Sequence, residues 1–179
     1  MILDKKILKI VEQNKNEEIK FLQKLISFDS QIIDQGVKGK EGRIQKLLAK
    51  ELRKIGCQVD VFEPDNKRLK KYDDFNPGHN YKDRPNVVGI LKGKGKGKGK
   101  KKGKSLILNG HVDTVAIGDR NLWKYDPLRG RIAQGKIFGR GACDMKAGVA
   151  SMIMAVKCIK RARIKLNGDI IIQSVVDEE

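Results

Sequence analysis

The chain has few aromatic residues, few histidines and no long apolar run. Aromatic residues make up 5% of its 179 residues, and there are only two histidines, His79 and His111. No apolar stretch approaches the roughly 20 residues that a membrane-spanning helix needs. The N-terminal stretch "MILDKKILKIVEQNKNEE" carries charges throughout, unlike a signal peptide. The sequence therefore predicts a cytoplasmic, globular protein that does not engage a membrane.

Cysteine is also scarce. Cys57, Cys143 and Cys158 form an odd set without C-x-x-C spacing. This pattern indicates three reduced thiols rather than a disulfide framework or a cysteine-based zinc site. Cys143 lies inside one of the motifs discussed below, so its proximity to a metal is left open.

Basic residues, in contrast, are abundant, and they are concentrated in one place. The net charge is +17, and the segment 92–104, "KGKGKGKGKKKGK", contains eight lysines and five glycines and nothing else. This composition predicts a flexible, solvated loop. A basic nucleic-acid-binding protein is one alternative that the charge raises. The loop has no aromatic residue on which bases could stack, so no specific nucleic-acid partner is predicted.

Apolar periodicity predicts three helices. Apolar residues recur at three- and four-residue spacings in a long first helix through Ile26, in a second helix over Ile44–Ile55 that Gly56 ends, and in a third over Met145–Ile159. Residues 64–86 are polar and contain three prolines, which indicates irregular structure.

Short β-branched runs predict strands between these helices. They are "CQVDVFE", "NVVGILKG", "SLILNG", the pair in "GRIAQGKIFG", and "DIIIQSVV". The lysine-glycine loop joins the second and third of these runs, which are predicted to form a hairpin. The last run is continuously apolar, as in a strand covered on both faces. The alternation of helices and buried strands predicts an α/β sandwich.

One histidine lies where a strand is predicted to end. In "LILNGHVDTV", His111 follows an apolar run, and strand ends are where α/β sheets bind ligands. Asp113 is two residues further on, so in extended backbone both side chains point to the same side. Metal-binding histidines usually donate their second ring N–H to a carboxylate. A surface His–Asp pair remains the alternative from this stretch alone.

Three further carboxylates follow similar patterns. Asp144, in "GRGACDMKAG", precedes the third helix, where it could cap the helix or bind a metal at the same sheet edge. Glu178 and Glu179 follow the last strand in "SVVDEE". They could form a solubilising tail, or one could ligate metal while its neighbour accepts a proton from water. Together with His111 they form a constellation that a tail does not explain.

Three motifs carry a resemblance to a known family. "NGHVDTV", "WKYDPLRGRIAQGKIFGRGACDMKAGVA" and "VVDEE" resemble, in order and spacing, the acetylornithine deacetylase and succinyl-diaminopimelate desuccinylase family. Its members are two-zinc amide hydrolases related to aminoacylases and glutamate carboxypeptidases. The resemblance implies a three-layer α/β/α zinc-peptidase-like (phosphorylase/hydrolase-like) catalytic domain with a mixed sheet, of which residues 1–179 would be the N-terminal portion.

The resemblance also implies residue roles. His111 would ligate one metal ion, Asp113 would orient that histidine, and Asp144 would bridge two ions. Glu178 would be the general base and Glu179 a ligand of the second ion. The cofactors would be two Zn²⁺ ions, with Co²⁺ as an alternative.

The implied reaction is hydrolysis of a linear amide bond in a small N-acyl amino acid or peptide. Glu178 would take a proton from metal-bound water and pass it to the leaving amine. The peptide bond between Asp144 and Met145 would be cis.

The resemblance further implies what is missing. Family members continue with another acidic ligand, a lid and dimerisation domain, and a final ligand histidine, for which His79 is a poor substitute. The fold would be incomplete at the C-terminus, the second metal site would lack a ligand, and the last strand would present an open edge. The alternatives are a truncated, inactive remnant, or a subunit that needs a separate C-terminal chain. A homodimer of the full-length kind is a further expectation.

Overall fold

The computed structural model describes residues 2–34, 37–95 and 103–179. The α-helices are α1 (Ile2–Ile26), α2 (Gly42–Ile55), the short α3 (Asn66–Leu69) and α4 (Ala147–Arg161). The strands are β1 (Ile32–Ile33), β2 (Lys38–Gly39), β3 (Gln58–Phe62), β4 (Asn86–Leu91), β5 (Leu106–His111), β6 (Arg131–Ala133), β7 (Lys136–Phe138) and β8 (Ile170–Val175). Among the described helices, none combines the length and apolarity that crossing a membrane requires.

The main sheet has four strands in the order β3-β4-β8-β5. β4 is antiparallel to both β3 and β8, whereas β5 is parallel to β8. The predicted hairpin of β4 and β5 is therefore wrong, because β8 lies between them. Two apolar runs joined by a glycine-rich loop do not show by themselves whether they pair directly or through a third strand.

The expectation of an open edge at the last strand is also wrong. β8 is a central strand that pairs with β4 and β5. It is not fully covered on both faces, as its continuous apolar run predicted, because burial alternates along it and one face is only half-buried. The edges of the sheet are β3 and β5. In β5, Leu106 and Ile107 are more than half exposed.

The hydrophobic core lies between the sheet and the helices. Along β4 and β8 every second side chain is buried, including those of Val87 and Ile172. α2 packs against β3 and β4, α4 packs against β5 and β8, and α1 packs against α4. At Gly89 a Cβ atom would lie 2.9 Å from Leu52 Cδ1, so this glycine lets α2 approach the sheet closely. The predicted α/β class with a mixed sheet is confirmed.

Local signals located the ends of several elements. Gly56 ends α2 in a left-handed conformation (φ 92°), and its N–H bonds to the Arg53 carbonyl. The pair β6 and β7 is antiparallel, as predicted. The third helix, in contrast, begins at Ala147 rather than Met145.

The ends of the lysine-glycine loop are hydrogen-bonded to the turn before β8. Residues 96–102 of this loop lie outside the described part of the chain. Gly93 N donates to Asp169 Oδ1 (2.8 Å), and Lys94 N donates to the Leu166 carbonyl (2.9 Å). Gly103 N donates to the Asn167 carbonyl (2.9 Å). The two ends of the predicted flexible loop are therefore fixed.

A pair of neighbouring isoleucines tests the orientation of β8. Ile172 faces the helices and is buried, whereas Ile171 points to the opposite face and is half-buried. We expect Ile172→Ala to reduce the free energy of unfolding by about 2–5 kcal/mol, and Ile171→Ala to reduce it clearly less. Urea unfolding measures both changes, and equal losses would contradict this orientation.

Candidate active site

The ends of two parallel strands bring the site residues together. β5 ends at His111, which is in register with Val175 at the end of β8. Because the two strands are parallel, their carboxyl ends meet at one edge of the sheet. Glu178 and Glu179 follow the end of β8 after two residues, and they lie beside His111.

A turn before α4 brings in the third acidic residue. The backbone of Asp144 is extended (φ −116°, ψ 108°), and the peptide bond to Met145 is cis, as the resemblance implied. Asp144 is not the N-cap of α4, because Lys146 occupies that position. His111 Nε2 lies 3.0 Å from Asp144 Oδ1. The side chain of Asp144 is 75% exposed, so one carboxylate oxygen contacts His111 while the group remains accessible.

Glycines allow this turn to pass close to the strand ends. A Cβ atom on Gly110 would lie 2.9 Å from Met145 Cε. Gly141 is in a left-handed conformation (φ 69°), and a Cβ atom there would lie 2.4 Å from Thr114 Cγ2. A larger residue at Gly110 would require Met145 to move, and one at Gly141 would clash with Thr114.

The resulting cluster has the composition of a metal site. Ligating atoms of His111, Asp144 and Glu179 all lie within 4.8 Å of one another. Burial, followed by the negative charge of Asp144, raises the pKa of Glu179. A divalent cation would relieve this crowding of carboxylates. Imidazole nitrogen with carboxylate oxygens is a donor set that suits zinc, so the residues present fit the metal.

Asp113 makes its hydrogen bonds to the two glutamates rather than to the histidine. Asp113 Oδ2 accepts the backbone N–H groups of Glu178 (2.9 Å) and Glu179 (3.0 Å). Its other oxygen, Oδ1, is 3.6 Å from His111 Nδ1, which is longer than a hydrogen bond. Neither of these two buried atoms has another hydrogen-bond partner among the described residues. Asp113 therefore joins the end of β5 to the segment after β8.

A buried lysine joins the same turn to the segment that follows α1. Lys146 is fully buried, and its Nζ donates to the carbonyl of Phe28 (2.8 Å). Burial lowers the pKa of Lys146 to about 8, although Asp29 acts in the opposite direction. The side chain thereby fixes the turn that carries Asp144.

The second histidine contacts the segment that carries the glutamates, which was not predicted. The polar stretch "NPGHN" predicts a surface position for His79, but its side chain is only 19% exposed, and its Nδ1 contacts Asp177 Oδ2. Tyr81 and Arg84 also hydrogen-bond to Asp177. These partners lie more than 90 residues from Asp177 in the chain, so no local spacing reveals them. The only signal in the sequence is that Asp177 directly precedes Glu178.

The fold and the cluster define the class of the protein. An α/β fold with a histidine and carboxylates at one sheet edge is typical of zinc-peptidase-like hydrolase domains. Human carnosine dipeptidase 1 superposes with a TM-score of 0.71 at 22% identity, covering 98% of this chain and 34% of the other. A dipeptidase from Saccharomyces cerevisiae superposes with a TM-score of 0.73 at 17% identity, covering 97% and 34%. These similarities show the fold.

The sequence comparisons relate the chain to one family of peptidases. Residues 107–179 match the model of peptidase family M20/M25/M40. It is 39% identical to the N-formyl-4-amino-5-aminomethyl-2-methylpyrimidine deformylase of Bacillus subtilis over 96% of its length. It is 36% identical over 59% of its length to a succinyl-diaminopimelate desuccinylase of Buchnera aphidicola. The chain covers 35% and 24% of these two relatives.

The buried position of Asp113 leads to a stability prediction. Asp113→Asn replaces the charged oxygen that accepts the backbone N–H groups of Glu178 and Glu179 with a neutral amide oxygen, which weakens both hydrogen bonds. We expect a loss of about 1–3 kcal/mol in the free energy of unfolding. Asp119→Asn is a matched control, because Asp119 also accepts a backbone N–H, from Asn121, but is exposed. Its expected loss is about 0.5 kcal/mol or less. Equal losses in the two variants, measured by thermal unfolding, would refute the role of Asp113.

Proposed function

We propose that this chain provides the metal ligands and the general base of a metal-dependent amide hydrolase. The observation that carries the proposal is the convergence of His111, Asp144 and Glu179 within 4.8 Å, with Glu178 beside them. Glu178 Oε2 lies 3.5 Å from His111 Nε2, and its side chain is 61% exposed. Ligands and base thus share one open sheet edge, where a substrate amide can reach them.

The residues suggest distinct roles within this cluster. We assign His111, Asp144 and Glu179 as ligands of two Zn²⁺ ions, with Asp144 as the bridging carboxylate. Zinc bound there would supply Lewis-acid polarisation of the amide carbonyl. Co²⁺, which accepts similar nitrogen and oxygen ligands, is the alternative ion.

Glu178 performs the proton transfers in this proposal. Its exposed carboxylate takes a proton from the attacking water and delivers it to the leaving amine nitrogen. Asp113 holds the backbone N–H groups of Glu178 and Glu179 and so keeps base and ligand at the same edge. No nucleophilic side chain is required, because water is the attacking group.

The proposed substrate is a small N-acyl compound or peptide with a linear amide. The names of the relatives describe removal of a formyl group and of a succinyl group, and both are acyl groups on an amine. Catalytic zinc normally has three protein ligands, and the cluster provides three residues for two ions. We therefore propose that further ligands come from residues outside this chain's 179, as a continuation of the same chain or a partner chain.

Metal binding tests the assignment of the two glutamates. We expect Glu179→Gln to weaken Zn²⁺ binding by at least about tenfold, because an amide is a poorer ligand than a carboxylate. Glu178→Gln, the matched control on the neighbouring residue, should bind Zn²⁺ within about threefold of the parent chain. Calorimetric titration measures both affinities. Equal weakening in the two variants would contradict the division into ligand and base.

A chimeric enzyme tests the catalytic role of Glu178. Residues 1–179 would replace the matching segment of the Bacillus subtilis deformylase, which provides the remaining part of the protein. We expect the chimera to release formate from an N-formyl amine, and Glu178→Gln to lower kcat about 10²–10⁴-fold. An active chimera that keeps its kcat in Glu178→Gln would overturn the assignment of the base. An inactive chimera that binds Zn²⁺ would contradict the amide hydrolase assignment.

A further inference from the structure

The two glutamates follow a sharp bend of the backbone at Asp177. Asp177 has a left-handed conformation (φ 69°), which aspartate adopts more readily than most residues other than glycine. The bend lies between the end of β8 at Val175 and the pair Glu178 and Glu179. The conformation of this one residue therefore sets the direction in which both glutamates leave the sheet.

We propose that Asp177 is a positioning residue for Glu178 and Glu179, and that Glu41, Arg84, Tyr81 and His79 hold it in place. The importance of this positioning for catalysis rests on the function proposed above. The positioning itself does not, because it concerns only how the backbone after β8 is held.

Three donors converge on the carboxylate of Asp177. Arg84 Nη2 donates to Oδ1 (2.7 Å), Tyr81 OH donates to Oδ2 (3.0 Å), and His79 Nδ1 contacts Oδ2. The side chain is only 5% exposed. Burial alone would raise its pKa, but the hydrogen bonds, led by that of Arg84, hold the pKa of Asp177 below its usual value. Burial and the Asp177 carboxylate together raise the pKa of Tyr81 to about 12, so its hydroxyl stays a donor.

Arg84 is fixed in turn by a second buried carboxylate. Its Nε and Nη2 groups donate to Glu41, with Nη2 2.7 Å from Oε1, and both side chains are almost completely buried. Arg84 Nη1 also donates to the Asn80 carbonyl (3.1 Å). A Cβ atom on Gly39 would lie 2.2 Å from Glu41 Oε2, so the backbone of β2 closes against this pair. Arg84 can therefore move little without displacing β2 or Glu41.

Buried ion pairs of this kind contribute little net stability, because desolvation offsets their attraction. They do define geometry, since the planar guanidinium fixes the directions of its hydrogen bonds. Here that geometry is transmitted to the one residue that precedes the proposed general base. This is why we assign the network to positioning rather than to stability alone.

Side-chain anchors hold the whole segment from Val176 to Glu179. Asn86 Oδ1 accepts the N–H of Val176 (3.0 Å), and Asp113 Oδ2 accepts those of Glu178 and Glu179. Asp177 lies between these anchors and is held through its side chain. If Asp177 loosens, the N–H groups of both glutamates should separate from Asp113 more often.

Amide hydrogen exchange in the ¹⁵N-labelled chain without metal measures this separation. We expect Tyr81→Phe to speed exchange at Glu178 and Glu179 by about tenfold, and Asp177→Asn by more, because each loses hydrogen bonds to the network. Exchange at Ile172, in the centre of the sheet, should change much less. Tyr72→Phe is the matched control. Tyr72 lines the same cavity as Tyr81 and Asp177 but makes no hydrogen bond to Asp177 among the described residues.

Two results would overturn the positioning role. One is exchange at Glu178 and Glu179 that is unchanged in Tyr81→Phe and Asp177→Asn. The other is acceleration that matches that of Ile172, because a purely structural role predicts uniform loosening of the fold.

A measurement of Zn²⁺ affinity distinguishes a failure of this inference from a failure of the proposed function. It is made under conditions in which circular dichroism shows that every variant is folded. We expect Tyr81→Phe to weaken binding about three- to tenfold and Tyr72→Phe to leave it unchanged. Faster exchange at the glutamates in a chain that binds no Zn²⁺ would support positioning and contradict the metal-dependent function. If the chain binds Zn²⁺ but every variant keeps the parent's amide exchange and Zn²⁺ affinity, the positioning role is contradicted and the metal-dependent function is not.

Discussion

The parallel pairing of β5 with β8 is the contact on which the site depends. It places His111 in register with Val175, so that a histidine and two glutamates more than 60 residues apart meet at one sheet edge. Asp113 closes this edge by hydrogen-bonding across it to the backbone of both glutamates. A shift of one residue in the register between β5 and β8 would turn His111 to the other face of the sheet and separate it from the carboxylates.

Around this pairing, some residues are buried and hold the backbone in place, and others are exposed to solvent. His111 and Asp113 are buried, and buried Lys146 holds the turn that carries Asp144 through its hydrogen bond to the Phe28 carbonyl. The carboxylates of Asp144 and Glu178, in contrast, are mostly exposed. An open set of acidic groups on a buried, hydrogen-bonded backbone is consistent with the proposed hydrolase, which would need access for a cation and a substrate.

Local patterns in the sequence predicted the elements and the convergence of His111, Asp144 and Glu179, but not the sheet order. Periodicity located α2 and β8, and the motifs around His111, Asp144 and Glu178 indicated the cluster. The hairpin of β4 and β5 was wrong because strand order depends on long-range pairing, which an apolar run does not encode. The contacts of His79 with Asp177 were missed for the same reason, since they form across 98 residues of chain.

In the proposed site, His111, Asp144 and Glu179 together bind two zinc ions. The most direct measurement is anomalous diffraction at the zinc absorption edge from crystals of the chain grown with Zn²⁺. We expect two anomalous peaks, one about 2.0–2.2 Å from His111 Nε2 and one about 2.0–2.2 Å from a carboxylate oxygen of Glu179, each also within this distance of an Asp144 oxygen. Crystals with zinc bound only elsewhere, for example between His79 and Asp177, or with no peak at saturating Zn²⁺, would contradict it.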